Sequence, residues 1–251
     1  MMVNSGVLVI FSRKDSQQFA EKVRRRIVGW YRNDEDYSDA VKRIVLQREE
    51  IIGLFEKVKK VDVRKLLQYL DSSGFFYRPS SANRHHNFLG GLAMHSLGTF
   101  KIIEKWNGLS PEERKKERLY CRFLRNKKVD CDIFRETMDY DDMVIAAICH
   151  DLCKAKHYYF DRGIIWKHHS DFELNYAHAS LSVKRLKENG IDTPNCDEIR
   201  LAVLMHMHLF GKPRYTKEAK YQQRAKKSML AIAVWAADKL DASRYPAGKC
   251  P

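Results

Sequence analysis

The sequence lacks any pair of cysteines separated by two residues, any internal repeat and any long apolar run. With six cysteines in 251 residues, this pattern argues against both a disulfide framework and a zinc ribbon. No segment approaches the roughly 18 consecutive apolar residues of a membrane-spanning helix. The apolar run 7–11 is too short for a secretion signal, and no basic residue precedes it. We therefore expect a folded cytoplasmic protein without a membrane segment.

Acidic residues are outnumbered by basic ones, 32 against 46, which gives a net charge of +14. A surface with this balance attracts phosphate groups on nucleotides, nucleic acids or lipids. Residues 211–227 concentrate the charge, since they contain one acid, Glu218, and the basic residues Lys212, Arg214, Lys217, Lys220, Arg224, Lys226 and Lys227. This block is either a phosphate-contacting surface or the solvated face of a helix.

Apolar residues recur every three to four positions along almost the whole chain, which predicts an all-α protein. The predicted helices cover 16–31, 36–60, 62–72, 87–106, a segment starting after Ser110, 142–151, 177–188, 195–210 and 228–241. A small β-hairpin insertion is expected over 157–166, around Gly163. Residues 1–60 are interpreted as an N-terminal helical extension and 61–251 as the main domain.

Three apolar helices each carry a histidine or an aspartate toward the predicted interior. Asp238 lies near the end of an apolar helix, His150 and Asp151 directly follow another, and His95 lies within a third. A buried, ionised carboxylate costs several kcal/mol unless a cation or a strong donor offsets it. Each residue alone is more often a hydrogen-bonded core residue or a helix cap. Together they suit a divalent transition metal ion such as Mn, Fe, Co, Ni or Zn.

The order His95, His150-Asp151, Asp238 resembles the H…HD…D signature of the HD-domain phosphohydrolase superfamily. Residues 85–96, His-His-Asn-Phe-Leu-Gly-Gly-Leu-Ala-Met-His-Ser, are similar to the opening motif of HD-type 3′–5′ exoribonucleases. Residues 149–154 resemble the family's HDxGK motif, with Cys153 in place of glycine. The resemblance covers roughly 61–245 and implies an HD-domain helical bundle.

The resemblance also implies a ligand set. His95, His150, Asp151 and Asp238 would hold one ion. The two further histidines of two-metal members correspond to His178 and His206, which makes the cofactor one or two divalent ions. His208 cannot face the same site as His206, because residues two apart on a helix diverge by about 200°. For His178 the alternative is a helix-cap residue that touches no metal.

The implied mechanism is attack on phosphorus by a metal-activated water. Asp151 and Lys154 are the predicted catalytic residues, and Lys154 would also contact the phosphate. Arg84, His85 and His86 are predicted substrate contacts. For Lys154 the alternative is a solvated lysine at a helix end, where the helix dipole favours a cation.

The leading hypothesis is a metal-dependent phosphohydrolase that cleaves a phosphomonoester or phosphodiester of a nucleotide or nucleic acid. Its alternatives are a nuclease or relaxase-type protein of a mobile element, a di-iron oxygenase on the same scaffold, and a non-catalytic nucleic-acid-binding module with a structural metal. A zinc site from Cys149, Cys153 and His157 is disfavoured because it offers only three ligands. Homo-oligomerisation is compatible with each alternative.

Overall fold

The computed structural model describes residues 13–27, 34–82, 84–117, 124, 127, 129, 135–161, 165–168, 171–213 and 216–244. Its helices are α1 (Arg13–Ile27), α2 (Asp34–Phe55), α3 (Arg64–Ser73), α4 (Gly91–Asn107), α5 (Pro111–Lys116), α6 (Tyr140–Cys149), α7 (Lys154–His157), α8 (Asp171–Glu188), α9 (Asp197–Met205), α10 (Thr216–Ala225) and α11 (Met229–Ala242). The predicted all-α class is confirmed.

The predicted hairpin is present as strands β1 (Tyr158–Asp161) and β2 (Ile165–His168). The strands are antiparallel, with Phe160 opposite Trp166. The expected turn at Gly163 and the apolar run 7–11 lie outside the described residues. Among the helices of the described segments, none is both long and apolar enough to cross a membrane.

Helix α11 is central because it is apolar on nearly every face. All of its residues except Lys239 and Ala242 are buried, against α4, α6, α9 and α10. Ser228 caps its first turn, since the hydroxyl accepts a hydrogen bond from the backbone N–H of Ala231. The two carboxylates of this helix, Asp238 and Asp241, are therefore carried into the core.

Helices α4, α6 and α9 surround α11 and pack against one another through α6. Asp139 caps α6 and accepts from the N–H of Asp142. The capping box predicted at Ser110 is also present, since Ser110 and Glu113 each accept from the backbone N–H of the other. Helices α6 and α9 both end at the centre of the molecule, at Cys149 and Met205.

The N-terminal helices share this core. Ile44, Ile51 and Phe55 of α2 are fully buried, and α2 packs against α4 and α6. The buried guanidinium of Arg48 donates two hydrogen bonds of 2.7 Å to the carboxylate of Asp71 and so joins α2 to α3. The division of the chain at residue 60 stays a prediction.

Several predicted helix starts differ from the structure, most of all that of α8, which begins at Asp171 and not at Ala177. The helix predicted from Asn87 begins at Gly91, because residues 84–90 form turns packed against α4. A Cβ atom on Gly91 would lie 2.1 Å from the carbonyl oxygen of His86, so this turn requires glycine. The cap predicted at Asn195 is wrong, since Asn195 lies inside a 3-10 turn that begins at Pro194. Proline favours the first position of such a turn, and α9 starts only after it.

Candidate metal centre

Five helices bring six predicted ligands together. His95 lies on the second turn of α4, and His150 and Asp151 directly follow the end of α6. Asp238 lies near the end of α11, His206 directly follows α9, and His178 lies on α8. His95 and His150 are fully buried, and the others are almost so. The interior of an all-α bundle thus holds a cluster of imidazoles and carboxylates.

Three of these side chains form a first group that could hold a metal ion: His95, His150 and Asp238. The Nε2 atom of His95 lies 3.1 Å from Nε2 of His150 and 3.0 Å from Oδ1 of Asp238. Nε2 of His150 lies 3.8 Å from the same carboxylate oxygen. Two ring nitrogens and one carboxylate oxygen therefore point at one small volume.

The other three form a second group: Asp151, His178 and His206. Nε2 of His178 and Nε2 of His206 are 3.1 Å apart. Oδ1 of Asp151 lies 3.6 Å from the first and 3.5 Å from the second. This group has the same two-nitrogen, one-carboxylate composition as the first.

Asp151 connects the two groups. Its Oδ2 atom lies 3.4 Å from Nε2 of His150 and 3.7 Å from Nε2 of His95, on the side opposite to the contacts of Oδ1. The ammonium of Lys154 donates to the same Oδ2 atom over 2.6 Å. One carboxylate therefore faces both groups.

Backbone carbonyls fix the tautomers of two of the histidines. Nδ1 of His150 lies 2.8 Å from the carbonyl oxygen of Ala147, and Nδ1 of His206 lies 2.6 Å from that of Val203. A carbonyl can only accept, so each Nδ1 carries the proton and each Nε2 presents its lone pair. Both carbonyls belong to the last turn of a helix, where they have no intrahelical partner.

Buried charges of opposite sign control ionisation in the cluster. Burial opposes a charge on His95, but hydrogen bonds with Asp238 and Asp241 outweigh it and raise the pKa of His95 to about 9. Burial likewise opposes ionisation of Asp151, yet Lys154 and His150 hold its pKa well below the ordinary value. Burial and His206 lower the pKa of His178 to about 3, so that this imidazole is neutral.

The donor set fits a divalent transition metal. Oδ1 of Asp151 is buried and has no hydrogen-bond partner, which is costly for a carboxylate oxygen. The facing Nε2 atoms of His95 and His150 need a proton or a cation between them, because Nδ1 of each ring donates elsewhere. Nitrogen and carboxylate ligands of this kind suit Mn, Fe, Co, Ni or Zn.

The predicted substrate contacts fall into different environments. Arg84 is exposed, and Lys154 and His85 are partly exposed beside the cluster. The ring of His85 lies 4.7 Å from that of His95, centroid to centroid. His86 is fully buried behind His95 and has no exposed surface. Burial, followed by His95, lowers the pKa of His85 to about 3 and that of His86 to about 2, so neither ring brings positive charge.

His208 and the cysteines lie outside both groups. The carbonyl of His208 accepts from the side chain of Gln222, and its own side chain is half-buried. Cys149 and Cys153 are free, buried thiols and belong to no metal-compatible group among the described side chains. Burial raises the pKa of the Cys153 thiol to about 12 and that of Cys149 further, which disfavours the thiolate that zinc requires.

Asp241 is not among the predicted site residues, yet its carboxylate accepts from Nδ1 of His95 over 2.8 Å. The signal was available, because Asp238 and Asp241 are three residues apart and so share one face of a helix. On a helix that is apolar all round, both carboxylates need buried partners.

A family model described as HD domain matches residues 92–243, more than half of the chain. The matched segment contains all six members of the two groups and leaves out Arg84, His85 and His86. No match to the chain is found among curated proteins or among solved structures.

Proposed function

This chain belongs to the HD domain family of metal-dependent phosphohydrolases, and we propose that it hydrolyses a phosphomonoester or phosphodiester of a nucleotide or nucleic acid. The observation that carries the proposal is the position of Asp151 between two groups of metal-compatible side chains. Phosphoryl transfer is the chemistry for which paired ions with a shared ligand are used widely.

The two groups define the proposed metal ligands. His95, His150, Asp151 and Asp238 would hold one ion, and Asp151, His178 and His206 would hold the other. Metal ions held by these residues would supply a water of lowered pKa as the nucleophile at physiological pH. The protein's own contribution is a set of rings that are oriented before any ion binds.

Lys154 is the proposed contact to the phosphoryl group. Its side chain is 12% exposed, and its ammonium donates to Asp151. An ammonium has three N–H donors, and donation to one carboxylate oxygen leaves two for a substrate oxygen. A fixed cation at this position stabilises the negative charge that develops in the transition state.

The loop before α4 supplies the remaining proposed substrate contacts. Arg84 is exposed, and its backbone N–H donates to the hydroxyl of Ser81, which holds the loop at this point. Arg84 offers a guanidinium to a phosphate, and His85 offers a neutral ring beside His95. His86 is proposed to support the cluster and not to contact the substrate.

The basic helix α10 supports a polyanionic substrate. The side chain of Gln222 donates to the carbonyls of His208 and Gly211 over 2.6 and 3.2 Å, which fixes α10 to the loop that follows His206. Lys217, Lys220 and Arg224 are exposed on the opposite face of the helix. Their charge raises the local concentration of phosphate-bearing molecules.

The proposal is tested by turnover of p-nitrophenyl phosphate, bis-p-nitrophenyl phosphate, nucleotides and oligonucleotides by the Mn²⁺-loaded chain. We expect metal-dependent hydrolysis that is abolished in Asp151→Asn and retained in Asp39→Asn, an exposed aspartate on α2. Absence of turnover together with salt-sensitive binding of RNA or DNA would favour the non-catalytic module. Oxygen consumption by the iron-loaded chain would favour the oxygenase.

A further inference from the structure

A second buried carboxylate, Asp241, lies one turn beyond Asp238 on α11. It is 1% exposed, and its Oδ2 atom lies 2.8 Å from Nδ1 of His95 and 3.3 Å from Nε2 of His86. Asp241 faces the Nδ1 edge of the His95 ring, whereas Asp238 and His150 face the Nε2 atom. The two aspartates therefore contact the same ring from different sides.

Helix α4 makes room for this carboxylate. A Cβ atom on Gly98 would lie 2.0 Å from Oδ1 of Asp241 and 2.6 Å from its Cγ, distances that no real side chain tolerates. Gly98 follows His95 by three residues, so the His95 ring and the space left by Gly98 lie on the same face of α4. Glycine at position 98 is thus a condition for the contact between Asp241 and His95.

The loop before α4 closes the other side of the carboxylate. His86 has a φ angle of 49°, in the left-handed region that non-glycine residues rarely adopt. Its carbonyl accepts from the backbone N–H of Ser80 over 3.1 Å, and the absence of a side chain on Gly91 allows the close approach of the same carbonyl. Strained backbone of this kind persists only where the surrounding contacts impose it.

We propose that Asp241 is a positioning residue that orients His95 toward the metal, an inference that rests on the proposed metal centre. A carboxylate that accepts a hydrogen bond from Nδ1–H leaves Nε2, the atom that faces His150 and Asp238, as the position of the ring that can bind a metal ion. A carboxylate in this position also increases the basicity of the ring as a ligand. Gly98 and the turn at His86 keep the carboxylate in place.

The first test is titration of the full chain with Co²⁺ against a competing chelator, with the visible spectrum of the bound ion recorded in parallel. Loss of a partner that orients a ligand weakens metal binding by about 10–100-fold, and we expect this for Asp241→Ala, with an altered spectrum. Asp241→Asn keeps an oxygen acceptor but loses the charge, so we expect partial rescue, with a loss of less than about 10-fold.

A matched control separates positioning from stability. Asp71→Asn removes a partly buried carboxylate whose hydrogen bonds come from Arg48 and not from a proposed ligand. It is expected to lower the melting temperature and to leave the affinity for Co²⁺ and its spectrum unchanged. A purely structural role for Asp241 would give the same pattern as Asp71→Asn.

A second pair of variants tests whether Asp241 needs the space that the missing side chain of Gly98 leaves beside α4. Gly98→Ala pushes Asp241 away and is expected to weaken Co²⁺ binding in a protein that retains all six ligands. Gly53→Ala is the control, because a Cβ atom there meets nothing within 4 Å. This pair decides the inference if Asp241→Ala does not fold.

The outcomes are distinct. Wild-type affinity and spectrum in folded Asp241→Ala, or in Gly98→Ala if the former does not fold, would overturn the role of Asp241 and leave the proposed function intact. Failure of the wild-type chain to bind Co²⁺ would overturn the proposed metal centre and this inference together. Loss of affinity in both variants, with none in Asp71→Asn and Gly53→Ala, would establish Asp241 as a positioning residue.

Discussion

The ammonium of Lys154 lies 2.6 Å from Oδ2 of Asp151, whose side chain is buried, while that of Lys154 keeps 12% of its surface exposed. Burial opposes charge on both residues, yet the ion pair lowers the pKa of Asp151 and raises that of Lys154. Both stay ionised at neutral pH as a result. This ion pair joins Asp151, which lies between the two groups, to Lys154, the proposed contact to the phosphate.

Replacement of Lys154 by alanine should remove activity while the metal stays bound. No proposed ligand is lost, but the cation that would face a phosphoryl oxygen is gone. Removal of one such preorganised donor typically lowers kcat by about 100–1000-fold. Steady-state hydrolysis and elemental analysis of the same preparation measure the two properties. Full activity in Lys154→Ala would exclude the residue from the site.

Asp238→Ala should lose bound metal and stability together. The substitution removes a proposed ligand and leaves His95 without its partner at Nε2, inside a helix that is buried on nearly every face. Elemental analysis and thermal unfolding provide the measurements, with exposed Asp39→Asn as the reference variant. Unchanged metal content in Asp238→Ala would contradict the proposed ligand set.

His178→Ala should reduce the number of bound ions from two to one. His178 belongs only to the second group, whereas the first group keeps all of its members. The readout is the metal-to-protein ratio after saturation with Mn²⁺ and removal of free ion. Retention of both ions would place the second site elsewhere, and loss of both would show that the two sites bind cooperatively.

Removal of metal by a chelator should lower the melting temperature, and addition of Mn²⁺ should restore it. Ligand that binds only the folded state at 100 times its Kd stabilises that state by about 2.7 kcal/mol. Thermal unfolding with and without chelator measures the effect. Because Asp238→Ala keeps only the second group complete, its melting temperature should respond less to chelator than that of the wild-type chain.

Arg48→Met should destabilise the junction of α2 and α3 without affecting metal content. The arginine is 3% exposed in its side chain and forms a two-pronged ion pair with Asp71, so its loss leaves a partly buried carboxylate uncompensated. Breaking such a pair costs about 3 kcal/mol. Urea unfolding measures the change, and an unfolding free energy equal to that of wild type would show that the pair contributes nothing.

The ligand order was predictable because ionisable residues on apolar helices are rare and costly. His95, His150, Asp151 and Asp238 stand out in the local sequence for this reason, and the structure brings them together. Their role as ligands stays a prediction. The confirmed helices and hairpin follow from periodicity and capping signals of the same local kind.

The environment of His86 was not predictable, because it depends on distant contacts. Nothing near His86 in the sequence indicates that the ring packs against Asp241, more than 150 residues later. The cap at Asn195 was mispredicted for a local reason, since Pro194 starts a 3-10 turn that competes with a helix start. Gly98 carried no recognisable signal, because its purpose is visible only once Asp241 is placed beside it.

His150 and His206 take their ring orientation from a main-chain oxygen of their own helix, three residues earlier in each case. Side chains elsewhere in the molecule are not needed for this alignment. The segment around Arg84 can therefore change its proposed substrate contacts without rotating either ring. Substrate specificity can thus change while the two histidine rings keep their orientation.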